Sequence, residues 1–120
     1  MNRRAIVVHA DEAMSRLASS GLRVFRPGFE VATAQTLSHA TNWLGGKPLD
    51  LVVVELNGHD PSHIAEWAEE NHVDVGDIVL VGADQSKSSG LGFGGDLPAP
   101  FGLSALLALV RRMDKAKGSR

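Results

Sequence analysis

Glu55 has the best claim to chemistry in this chain. It ends the apolar run Leu51-Val52-Val53-Val54, and a polar turn, Asn57-Gly58-His59-Asp60-Pro61, follows at once. A short β-branched run bounded by turn signals reads as a buried strand. In open parallel sheets, ligands and reactions collect outside the carboxyl ends of the strands, and Glu55 stands at that address. Whether it does chemistry there depends on its partners. His9, His59 and His63 fall near the same rim, with Asp11 and Asp60 beside them. Imidazole and carboxylate together suit Zn2+ or another transition metal. Pro61, however, separates His59 from His63 and spoils their helical spacing. Rim histidines on loops are ordinarily solvated, so a metal site is the alternative reading. No Ser or Cys stands in a recognisable arrangement with a histidine for nucleophilic catalysis. The glycines from Gly82 to Gly95 form neither G-x-G-x-x-G after the first strand nor a P-loop.

The elements that must position these residues follow from the pattern. The run Ala5–Val8 is a buried strand, and Asp11 caps a helix with Met14, Leu17, Ala18, Gly21 and Phe25 at helical spacing. Phe29–Ala34 alternates as a second strand. Thr36 caps a short helix carrying Leu37, Ala40 and Leu44, with Trp43 beside the stripe and Gly45-Gly46 closing it. After the third strand, Ser62 can cap a helix with Ile64, Trp67 and Ala68 on one face. Ile78–Val81 is a fourth strand. The stretch from Gly82 to Gly95 holds no helical stripe and reads as a loop with at most one helical turn. Leu97 is a very short strand candidate. Leu103, Leu106, Leu107, Val110 and Met113 form the face of a last helix, whose basic end suits the helix dipole. Strands alternating with helices predict a parallel sheet covered on both faces, joined by right-handed crossovers.

Composition sets the outer limits. The 120 residues suffice for one core, and 43% apolar with 22% charged residues is ordinary for a globular domain. The formal charge is −2, with Lys and Arg mainly at the two ends, which argues against a nucleic-acid groove. The absence of cysteine excludes disulfides, thiolate metal sites and Cys nucleophiles. The apolar runs are too short for a membrane span or a secretory leader, so a cytoplasmic domain is expected.

The chain resembles the bacterial response-regulator receiver domain, a flavodoxin-like (βα)5 fold with strand order 2-1-3-4-5. The resemblance rests on Ile6-Val7-Val8 followed by a turn with Asp11, on Leu49 to Val54 with Leu56-Asn57 beyond, on Ile78 to Ala83, and on Leu97-Pro98-Ala99-Pro100-Phe101. It implies a receiver domain over residues 1–116, with 117–120 as a frayed tail. It also implies that the family's fourth helix is lost or reduced, because the connection after strand four is short. The family's chemistry is phosphoryl transfer to an Asp at the end of strand three. Two acids after strand one hold Mg2+, and a hydroxyl and a Lys contact the phosphoryl oxygens, where they stabilise charge.

Carried over by position, every one of these roles meets the wrong residue. The acid pair falls on His9 and Ala10, the acceptor on Glu55, the hydroxyl on Gly82 and the Lys on Ala99; the aromatic switch residue falls near Asp96. Without the acids, Mg2+ has too few charges to hold it, so Mg2+ binding is expected to be lost. The resulting expectation is a pseudo-receiver. It would be non-enzymatic and independent of phosphorylation, acting in bacterial signalling through a protein partner, either a second copy or another signalling protein. Leu91, Phe93, Asp96, Arg111 and Arg112 would offer the contact surface. The alternatives are a receiver still switched by phosphorylation, or a small-ligand or metal sensor at the rim around Glu55. A contact between His9 and Glu55 is expected if the ends of strands one and three are neighbours.

Overall fold

A computed structural model describes residues 3–56, 60–82, 90–98 and 101–118, with side chains described as far as Lys115. The strands are β1 (Arg3–Val8), β2 (Phe29–Ala34), β3 (Leu51–Glu55), β4 (Ile78–Val81) and β5 (Gly95–Leu97). The helices are α1 (Glu12–Phe25), α2 (Leu37–Leu44), α3 (Pro61–Glu70) and α4 (Leu103–Gly118), with a 3-10 turn at Val75–Asp77. All strand pairings are parallel, in the order β2-β1-β3-β4-β5. This is the expected doubly wound topology. The expectation about the family's fourth helix falls on 83–89, outside the described residues; Gly90–Gly94, which lead into β5, are not helical.

The strands carry continuous apolar runs because both faces are covered. Ala5, Val7, Leu51, Val53, Val79 and Val81 face one core with residues of α1 and α4. Ile6, Val8, Val52, Val54, Ile78 and Leu80 face the other, built with α2 and α3. Helix boundaries follow local chemistry. Asp11 caps α1 by accepting from the backbone N–H groups of Ala13 and Met14, and Thr36 caps α2 by accepting from His39. Gly45 ends α2 in the left-handed conformation, at φ 56°. The cap of α3 is Asp60, not Ser62. Pro61 takes the first helical turn, where a missing N–H costs nothing, and Ser62 donates its own N–H to Asp60.

Two further findings differ from the pattern reading. Helix α1 buries Ser15, Ala18, Ser19, Gly21 and Leu22, while Leu17 and Phe25 are exposed. Its inner face is made of small residues because neighbours come close: a side chain at Gly21 would collide with Leu103 of α4. Strand β5 extends back from Leu97 through two residues of poor strand propensity. A Cβ on Gly95 would lie 2.5 Å from Leu109 Cδ1, so the missing side chain is what lets α4 seat against this edge.

Both tryptophans pack as expected. Trp67 is buried, and its Nε1 donates to Thr41 Oγ1 at 2.9 Å. Trp43 is half-buried under the guanidinium of Arg4, which lies 4.1 Å from the ring centroid. The same guanidinium donates to the carbonyls of Trp43, Leu44 and Pro48, so Arg4 of β1 fastens the C-terminal end of α2.

Candidate functional site at the carboxyl edge of the sheet

Register brings the predicted residues together. Val8 of β1 pairs with Val54 of β3, and Glu55 pairs with Val81 of β4. The residues just beyond, His9, Glu55 and Gly82, therefore share one rim. His9 is fixed from three sides. Its backbone N–H donates to Ala34 O at 3.0 Å, which extends the β1–β2 pairing by one residue. Its Nδ1 accepts the backbone N–H of Asp11 at 3.0 Å. Its ring tilts against Phe101, centroid to centroid 6.4 Å. The remaining nitrogen, Nε2, lies 3.0 Å from Glu55 Oε2, with 4% of the His9 side chain exposed against 21% for Glu55.

This arrangement sets the protonation pattern. A nitrogen that accepts a hydrogen bond carries no proton, so the ring hydrogen sits on Nε2 and faces the Glu55 carboxylate. The expected contact between these residues is present. An imidazole at position 9 brings a hydrogen donor where a cation site would need an anionic oxygen. Asp11 does not take over that role: its Oδ1 accepts the N–H groups of Ala13 and Met14 at 2.8 and 3.2 Å and serves the helix cap. Ala10 is exposed and offers no side-chain ligand. Among the described residues, no group of three or more His, Asp and Glu is placed to hold a metal ion.

Removing the Glu55 carboxylate takes away the acceptor that faces the buried His9 Nε2. Glu55→Ala is expected to destabilise the fold by about 1 kcal/mol, near the low end of the cost of an unpartnered polar group because water can enter beside Glu55. Glu55→Gln keeps an oxygen at the same reach and should recover most of that loss. Urea unfolding midpoints of the two variants decide the point.

The rest of the rim is as bare. Gly82 is exposed, adopts φ 78°, and donates its N–H to Leu97 O at 2.9 Å. Ala99, His59 and Pro100 lie outside the described residues. His63 is exposed in the first turn of α3. A recess of about 60 Å3 lined by His9, Ala10, Gln35, Thr36 and Glu55 has room for water, and a wider one of about 510 Å3 opens on the β2 side of His9, lined also by Glu12, Ser15, Thr33, Gln35 and His39. Of the residues expected on a contact surface, Asp96, Arg111 and Arg112 are exposed, Leu91 is half-buried, and Phe93 packs partly against the α2/α3 core. The sequence reading missed Phe101 and Gln35 as walls of the site; the order of the strands, which makes β2 the neighbour of β1, was the signal for Gln35.

No family model and no curated protein matches the sequence. Solved structures do match. A response regulator from Thermotoga maritima superposes with TM-score 0.72 at 21% identity, covering 94% of this chain and 98% of that one. An orphan response regulator of H. pylori superposes with TM-score 0.73 at 17% identity, over 92% of this chain and 95% of that one. The fold is that of a response-regulator receiver domain. A further receiver-fold structure belongs to an atypical orphan response regulator described as revealing a phosphorylation-independent regulatory mechanism. It superposes with TM-score 0.73 at 16% identity, over 92% of this chain and 93% of that one. At these identities the likeness is one of fold, and this chain carries His9, Ala10, Glu55 and Gly82 at the carboxyl edge of its sheet.

Proposed function

We propose that this receiver-fold domain is a protein–protein interaction module that works without phosphorylation and without Mg2+, in bacterial signalling. The observation that carries the reading is the packing of His9. A buried imidazole, held by Asp11 N–H and facing Glu55, takes the place of an acidic oxygen beside the acceptor position. Phosphoryl transfer to a carboxylate needs cations to neutralise the developing charge on the phosphoryl oxygens. The described rim supplies no Lys or Arg beside Glu55, and Gly82 has no hydroxyl to donate. Glu55, turned toward His9, is a structural carboxylate in this reading rather than an acceptor. The domain is then a scaffold whose surface is permanently presented, and the exposed Asp96, Arg111 and Arg112 belong to that surface.

The test is a two-dimensional amide NMR titration with Mg2+ followed by beryllofluoride, a phosphoryl mimic. The expected result is no movement of the signals of Val54, Glu55, Leu56 and Gly82. Saturable shifts at these positions that spread into α4 would overturn the reading and show that the edge still switches.

A further inference from the structure

We propose that the recess between the first turns of α1 and α2 binds a small neutral polyol, a molecule of the size and chemistry of a monosaccharide. The strands place its walls. Val7 of β1 lies opposite Thr33 of β2, and Val8 opposite Ala34, so the chain leaves both strands side by side. Each strand is followed by a helix whose start is fixed by a cap, Asp11 for α1 and Thr36 for α2. By strand alternation, Thr33 continues the face of β2 that carries Phe29 and Val31, the face packed against α1. Glu12 and Ser15 of α1, Thr33 and Gln35 at the end of β2, and His39 of α2 therefore surround one opening beside His9, with a volume of about 510 Å3. That lies within the range of small-molecule sites, roughly 300–1,000 Å3.

Ser15 marks the recess as a binding site. It is 7% exposed, and among the described residues its hydroxyl has no hydrogen-bond partner. Ser19, one turn further along the same helix and 3% exposed, is satisfied within the helix: its Oγ donates to Arg16 O at 3.4 Å. Leaving a buried hydroxyl without a partner costs stability, so such groups nearly always have one. Ser15 lines the recess, and its partner comes from there. The other walls choose the ligand. Thr33, Gln35 and His39 are exposed at the opening, and each can both donate and accept, as Ser15 can. A ligand hydroxyl does the same, so several hydroxyls on one small molecule match this set. Glu12 is the one carboxylate among the walls, and Arg16 already holds its Oε1 at 2.5 Å, which leaves no net charge to draw an ion. The apolar part is limited to Ala34 and the ring of His9, whose nitrogens are both engaged, so a flat hydrophobic ligand finds no broad wall.

The site goes beyond the interaction reading and does not depend on it, because Glu55 is not among its walls. The test is an amide NMR titration of the full chain with D-glucose, D-ribose and myo-inositol, each raised through the millimolar range without Mg2+ or beryllofluoride. Saturable shifts of Ser15, Thr33, Gln35 and His39 are expected with at least one of the three, while the signals of Leu106 and Val110 stay in place. Ser15→Ala and Gln35→Ala each remove one hydrogen-bonding group and are expected to weaken binding roughly three- to tenfold. Circular dichroism checks that both variants keep the fold. Sodium sulfate, titrated in the same way, separates the polyol from an anion. The absence of saturable shifts with all three polyols overturns the inference. So does binding that is unchanged in both variants, which places the ligand elsewhere, and so does sulfate that moves the same signals at lower concentration than any polyol.

Discussion

Leu106→Ala is expected to destabilise the domain by about 2–5 kcal/mol. Leu106 has no exposed surface and belongs to the core that joins α1 and α4 to the sheet. Leu109 and Val110 lie one turn further along the same face, so shortening Leu106 opens a cavity that rigid neighbours on both sides prevent from closing. A domain of this size has a total stability of about 5–15 kcal/mol, and the loss is a large share of it. Leu106→Met, which keeps the volume, should cost less than about 1.5 kcal/mol. Denaturant midpoints at constant slope measure both. A loss in Leu106→Ala as small as in Leu106→Met would mean that α4 is not anchored here.

Gly94→Ala is the second large effect, expected at about 2–3 kcal/mol for one added methyl group. A Cβ at this position would collide with the carbonyl of Gly76 and with Met113 Cε. Met113 can turn aside; the Gly76 carbonyl cannot, because it is backbone in the 3-10 turn that leads into β4. Gly94 also donates its N–H to Val75 O and Ile78 O, at 3.2 and 2.9 Å, so the chain here is tied to that turn and cannot back away. The matched control is Gly28→Ala. Nothing lies within 4 Å of its Cβ, and the change is expected to be neutral or to stabilise by up to about 1 kcal/mol through the unfolded chain. Equal midpoints for the two variants would show that the close approach at Gly94 is not a constraint.

The sheet was legible because its signal is redundant. Ile6–Val8, Leu51–Val54 and Ile78–Val81 are apolar at every position, and a strand covered on both faces has no other way to be written. The meeting of His9 and Glu55 was legible for the same reason, since the order of the strands makes their ends neighbours. Helix α1 was not. It carries two overlapping stripes, and periodicity cannot say which one faces the sheet. Of the stripe read from the sequence, Ala18 and Gly21 are buried and Met14 packs against the core, while Leu17 and Phe25 are exposed and the sheet takes Leu22 and two serines instead. The near end of β5 was hidden by composition: Gly95 has low strand propensity, and its place depends on Leu109, a residue of a later helix. The cap at Asp60 was present as Asp-Pro and was passed over for the serine beyond it.

The left-handed turn at Gly82 is the part of the rim least open to substitution. Replacing His9 and Ala10 by acids changes side chains on an existing frame. Introducing a hydroxyl at position 82 does not, because an L-residue held at φ 78° is strained by about 1 kcal/mol or more, and β-branched threonine is the least tolerant. To relieve the strain the backbone must rotate, and the Gly82 N–H bond to Leu97 O that tethers β5 is then lost. A Gly82→Ser or Gly82→Thr variant is therefore expected to lose stability whichever residues stand at positions 9 and 10.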